Sequence, residues 1–231
     1  MPGYLFHLAF GEEVLKKGGI KDKEAFKLGN IAPDLVSDKI TTHFKNNSIG
    51  AFIVPNLKSF IKKYSEEIKA SDFVKGYLAH LYLDYYFISD FVLRHIVTLD
   101  KKMQQTGEPT QIKFIKLLKN NKYIDLETNP NEAIEIDNFF RERILHREYS
   151  ALNSYIRNDY SLSLPCATNI PNYISELPPK AVINSYPKLN KELTEILLTS
   201  DKTASIFSYE EYKAFSKALA SKFNEFLKNL L

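Results

Sequence analysis

The stretch "GYLAHLYLDYYF", residues 76–87, places His80 and Asp84 four positions apart inside an otherwise apolar run. On a helix, residues i and i+4 lie one above the other on one face, about 5–6 Å apart at Cβ. The two side chains therefore converge on one point. A buried histidine hydrogen-bonded to an aspartate one turn later satisfies that pattern, and so does half of a metal site. Either way the run reads as the core of a long helix, expected from Asp72 to about Asp100, around which the chain is organised.

Outward from that segment the periodicity is helical almost everywhere. Leu5, Leu8, Val14 and Leu15 recur at three- and four-residue steps before Gly18 and Gly19 stop the first helix. "DKEAFKLGNIAPDL" reads as a short helix ending near Gly29, a turn, and a restart at Pro33. Residues 55–69 keep a helical rhythm behind Pro55, and "PTQIKFIKLLKNN" reads as another helix. "NPNEAIEIDNFFRERILHREYSALNSYIRNDYS" reads as one long or one broken helix starting near Asn131. Residues 161–187 hold five of the ten prolines and are expected as a long irregular loop. Two final helices are expected near 188–199 and 208–231, the second capped by Ser208 with Glu211 three residues on. No two-residue alternation or Asn-Gly turn signals a sheet. The expectation is an all-α, single-domain multi-helix bundle over residues 1–231.

The bulk composition narrows the function classes. A chain of 231 residues with 44% hydrophobic residues buries a core without disulfides or structural metal. A metal ion here would point to chemistry rather than to folding. Cys166 is the lone cysteine, which excludes an internal disulfide and a cysteine-rich zinc cluster. The net charge is +3, but the lysines are spread along the chain, where nucleic-acid binding wants a dense basic stripe. Nucleic acid is thus a weakly supported partner. The N-terminus has no basic leader segment and runs directly into Glu12 and Glu13, unlike a secretory signal. No window reaches the ~18 apolar residues of a membrane span. A cytoplasmic protein with no transmembrane segment is expected.

Five histidines occur, at positions 7, 43, 80, 95 and 146. His7 sits in an apolar helix, where a satisfied core histidine is the bland alternative to a ligand. Asp34 follows Pro33 at a helix start, where a carboxylate is common for local reasons. His43, in "TTHF", says little alone. His95 lies eleven residues beyond Asp84, about 16 Å along a continuous helix, too far to share an ion. His146 has Glu142 one turn before it, a Glu-x-x-x-His pair on one face. Three imidazoles and two carboxylates near residues 7, 34, 43 and 80–84 form a ligand set suited to a borderline ion such as zinc.

"PGYLFHLAFGEEVL", "KLGNIAPDLV", "THF" and "GYLAHLYLDYYF", in that order over roughly residues 1–90, resemble the zinc-dependent phospholipase C family, related in fold to P1-type nucleases. The resemblance implies an all-α fold with one to three Zn²⁺ ions that hydrolyses phosphodiesters. It implies that His7, His43, His80 and Asp84 are metal ligands, with Asp84 bridging. Asp34 would be a further ligand or the catalytic group that orients or deprotonates water. The implied partner is a small phosphodiester or a phospholipid head group. The chain departs from the family in having no Trp and no His-x-x-x-Glu pair, so Glu142 and His146 are the remaining candidates for a further metal site. The rival expectations are a degenerate relative that binds one ion or none and acts as an interaction module, or a nuclease or small phosphoesterase on the same scaffold.

Overall fold

Helix α1 (Tyr4–Lys16) stops where Gly18 and Gly19 take left-handed backbone, with φ of 81° and 91°, which glycine adopts without Cβ strain. Helix α2 (Lys23–Ile31) is capped by Asp22, whose side chain accepts from the Ala25 amide, and runs directly into a 3-10 turn, Ala32–Leu35, that contains Pro33. Short α3 (Lys39–Thr42), capped by Asp38, leads to a hairpin of β1 (Asn47–Ile49) and β2 (Phe52–Val54). Helices α4 (Leu57–Lys63) and α5 (Ser65–Ala70) then deliver the chain to α6 (Asp72–Tyr86). The computed structural model describes residues 3–119, 122–123, 133–167, 170–195 and 206–231.

Every residue of α6 from Phe73 to Asp84 is buried, as befits a helix that is apolar around its whole circumference. It crosses α2 at a pair of glycines. A Cβ added to Gly76 would collide with the Phe26 carbonyl oxygen, and one added to Gly29 with that of Phe73. The two backbones are therefore in contact. At the start of α6, Asp72 accepts from the Lys21 and Asp22 amides at 2.9 and 2.8 Å and pairs with Lys75 at 2.7 Å. Burial alone would raise the Asp72 pKa, but Lys75 and the two amides reverse this and lower it.

The long helix expected to reach Asp100 ends early. A π turn over Phe87–Phe91 and a 3-10 turn over Val92–Arg94 unwind it into β3 (Ile96–Leu99). Strand β3 pairs antiparallel with β4 (Phe114–Lys119), which also pairs with β5 (Lys122–Tyr123) and β6 (Ile134–Glu135). The all-α expectation is thus corrected. The fold is helix-dominated but mixed, with two small antiparallel sheets. "PTQIKFIKLLKNN" supplies β4 rather than a helix. Ile112, Ile115 and Leu118 recur in helical rhythm, yet within the strand it is Ile115 and Leu117 that are buried, with Lys116 between them and Leu118 only half-buried. A stretch this short carries both periods, and its pairing with β3 decides.

The expected long or broken helix is broken, into α7 (Ile136–Arg141), α8 (Ile144–Ala151) and α9 (Asn153–Asp159). The first break is at Arg143, which has a left-handed φ of 51°; the expected start near Asn131 lies outside the described residues. The expected loop over 161–187 ends at Pro178, because α10 (Pro179–Glu195) starts on a proline and carries Pro187 inside it. Residues 168–169 of that loop, and the expected helix end near 199, lie outside the described residues. Helix α11 (Tyr209–Leu230) opens with the expected Ser208–Glu211 capping box. It lies against α1, with the Tyr212 hydroxyl donating to the Phe6 carbonyl at 3.1 Å. Among the described residues no helix is long and apolar enough to cross a membrane.

The glycine crossing yields a direct expectation. Gly76→Ala forces α2 and α6 apart and lowers stability by about 2–3 kcal/mol in urea unfolding. Gly107→Ala, at a position open to solvent, changes it by less than ~0.5 kcal/mol. Asp72 gives a pH expectation with a fixed sign. Its folded pKa lies below the unfolded value, so its stabilisation is present above that value and is lost as pH falls through the folded one. Asp72→Asn should therefore cost about 1–2 kcal/mol at pH 7, with the gap to wild type closing once pH drops below about 3.9.

Candidate metal centre

Five side chains from four elements meet in the core: His7 on α1, Asp34 in the 3-10 turn, His43 at the C-cap of α3, and His80 and Asp84 on α6. His43 Nε2 lies 3.0 Å from His80 Nε2, 3.4 Å from Asp34 Oδ1 and 3.7 Å from Asp84 Oδ2. His80 Nε2 is 3.6 Å from Asp84 Oδ2. Donors about 2.0–2.1 Å from a tetrahedral ion are about 3.3 Å apart, near the edges of the His43, His80 and Asp84 triad, and His7, Asp34 and His80 form a second such group. His7 Nε2 lies 3.5 Å from Asp84 Oδ1 and 3.9 Å from Asp34 Oδ2. Each carboxylate thus turns one oxygen to His43 and the other to His7.

Hydrogen bonds behind the rings fix which nitrogen faces the cluster. His80 Nδ1 donates to the Asn30 carbonyl at 2.9 Å, so its Nε2 presents a lone pair. The Thr42 hydroxyl donates to the Asp38 carbonyl at 2.7 Å and accepts from His43 Nδ1 at 3.1 Å, which leaves a lone pair on His43 Nε2 as well. Two lone pairs facing each other at 3.0 Å repel unless a cation or a proton lies between them. Both ring nitrogens of His7 and both oxygens of Asp84 are buried without a hydrogen-bond partner among the described residues. Buried polar groups are as a rule paired, and this convergent donor set is one that a cation satisfies.

Electrostatics agree with the geometry. Burial alone would raise the Asp34 and Asp84 pKa values. Around Asp34 the His43 hydrogen bond, His80, His7 and Lys39 hold the carboxyl well below its usual range. Around Asp84 the imidazoles of His7, His80 and His43 also lower it. Burial, reinforced by His7 stacked 3.6 Å away, pushes His80 well below the ordinary histidine value. Ionised carboxylates with a neutral imidazole are the protonation states that bind metal. His7, His43, His80, Asp34 and Asp84 can therefore hold a metal ion.

A cavity of about 760 Å³ reaches the cluster at Asp34 and His43. Lys39, Lys45 and Arg143 lie along it, as do Phe52, Ile53, Phe139 and Phe140. Lys39 Nζ also pairs with Asp34 Oδ1 at 3.1 Å.

The other sequence candidates lie outside the five-residue cluster. His146 lines the same cavity, with its Nδ1 3.2 Å from the Ser150 hydroxyl. Glu142 is exposed at the C-cap of α7. Their expected one-turn spacing needs a continuous helix, and the left-handed Arg143 between them interrupts it. His95 packs on Phe91 and Phe207 elsewhere. Sequence reasoning missed Asn30 and Thr42, which stand behind the ligand rings. The Asn30 side-chain amide donates to the His7 carbonyl, while the Asn30 backbone carbonyl accepts from His80 Nδ1. A polar residue at the end of an apolar helix was the one available signal.

Titration with a divalent cation should raise the melting temperature, by an amount equivalent to about 2.7 kcal/mol at a hundredfold excess over Kd. Asp84→Asn should lose that shift. Comparison of the chain with protein-family models, with curated proteins and with solved structures finds no match to any of them.

Proposed function

We propose that the protein is a zinc-dependent phosphoester hydrolase acting on phosphodiesters. One observation carries the reading: a convergent set of histidine and carboxylate donors, buried except at Asp34, adjoins a cavity lined by basic side chains. Three imidazoles with carboxylates favour zinc over the harder oxygen-seeking cations. The resemblance of the four motifs to zinc-dependent phospholipase C supports the same reading.

The residues that would hold the ion are His43, His80 and Asp84, which would leave a fourth position for water or substrate beside Asp34, with His7 facing the second oxygen of each carboxylate. A zinc ion held there supplies Lewis acidity, which acidifies water and neutralises charge on the phosphoryl group. Asp34 is the cluster carboxylate that also borders the cavity, with 19% of its side chain exposed. It accepts a hydrogen bond from water and orients it toward phosphorus. Its lowered pKa makes it an orienting group rather than the final holder of the proton, which passes to solvent. The water oxygen bonds to phosphorus, the ester P–O bond breaks, and the leaving alkoxide is protonated from solvent. Lys45 and Arg143 hold the phosphate while the phenylalanine wall receives the ester substituent.

Elemental analysis of the purified protein should find zinc, and His80→Ala and Asp84→Ala should each lose it. The zinc-loaded wild type should hydrolyse bis(4-nitrophenyl) phosphate, with kcat/KM falling at least ~10³-fold in either variant. Full zinc occupancy without turnover of any phosphoester would overturn the reading in favour of a metal-binding interaction module.

A further inference from the structure

We propose that the cavity over the cluster selects phosphoesters of net negative charge, and that Lys45 and Arg143 determine this specificity. The proposal rests on the phosphoester reading above. The rival occupant is a zwitterionic ester with a quaternary ammonium group, because Phe52, Phe139 and Phe140 line the cavity and aromatic faces attract such cations.

Charge decides between the two. Among the described residues along the cavity, the carboxylate is Asp34, against the cations Lys39, Lys45 and Arg143. Asp34 is turned into the metal cluster and is also engaged by Lys39 at 3.1 Å. A cationic head group would find no carboxylate of its own and would meet two basic side chains. An anionic ester reverses both terms, since its phosphate is held by Lys45 and Arg143 and it brings no cationic group for them to repel.

Arg143 carries a second, independent mark. Its φ of 51° places it in the left-handed region, which L-residues seldom adopt and glycine takes freely. The chain holds a long cationic side chain at a cavity-lining position where glycine would suit the backbone better. Strain retained at such a position motivates a functional reading. It also provides a clean variant, because Arg143→Gly removes the charge and relieves the backbone together.

The experiment compares zinc-supplemented wild type, Arg143→Gly and Lys45→Ala on three esters with one chromophore. These are 4-nitrophenyl phosphate, bis(4-nitrophenyl) phosphate and zwitterionic 4-nitrophenylphosphocholine. Calorimetric titration with phenylphosphonate and with phosphocholine, with and without zinc, gives a readout that needs no turnover. The wild type should favour the anionic esters. Each variant should raise their KM about five- to tenfold, affect the zwitterion far less, and flatten the salt dependence. Arg143→Gly should melt no lower than the wild type. Preference for the zwitterion, or variants with unchanged KM, would overturn the specificity while leaving the hydrolase intact. If no ester turns over, phenylphosphonate binding that weakens in both variants would uphold the anion selectivity and overturn hydrolysis. Equal binding of phosphocholine, or no binding of either ligand, would overturn the selectivity too.

Discussion

The glycine-to-glycine crossing of α2 and α6 is the constraint from which the site follows. Backbone contact at Gly29 and Gly76 brings the end of α2 against the middle of α6. The Asn30 carbonyl then meets His80 Nδ1. The 3-10 turn that follows α2 without a linker carries Asp34 to the same place. A wider crossing would separate the carbonyl from the imidazole, and with it the fixed direction of the Nε2 lone pair. The helices therefore supply orientation as well as residues. The same Asn30 bonds back to the His7 carbonyl, so α1 is drawn into the arrangement by the residue that follows the close contact.

Much of this was legible in the sequence, and the reasons differ by residue. His80 and Asp84 were readable because helical spacing converts four positions into one face. Ser208 and Glu211 were readable because a cap is a local device. His7, Asp34 and His43 were each ambiguous alone, and only their order suggested a cluster; the fold places Asp34 3.9 Å from His7 and 3.4 Å from His43. What failed was everything set by pairing between distant segments. "FIKLLK" carries helical and strand periods at once, and its strand identity comes from β3. The prolines of residues 178–187 read as loop, although one opens α10 and another lies within it.

Lys45 and Arg143 were illegible for another reason. Lysine and arginine are scattered along the whole chain, and nothing local distinguishes those that line the cavity. Arg143 in particular looks like an ordinary helix residue between Glu142 and Ile144. Its left-handed backbone breaks that helix, takes Glu142 away from His146, and places the arginine along the cavity. One dihedral angle thus removes an expected ligand pair and places a cationic side chain along the cavity.

The arrangement also separates two electrostatic tasks that would otherwise interfere. Both carboxylates of the cluster are held in their ionised range, and among the described residues only the Lys39 ammonium pairs with the cluster from outside. A second ammonium or guanidinium inside the cluster would pair with Asp84 and occupy the oxygens that face His7, His43 and His80. Asp84 instead keeps both oxygens clear of hydrogen bonds, and the remaining basic residues stand along the cavity. There they act on what enters rather than on the ligands. The interior can hold a cation, basic side chains line the cavity, and Asp34 stands at the boundary between them, the order that the proposed metal-assisted attack on a phosphate would use.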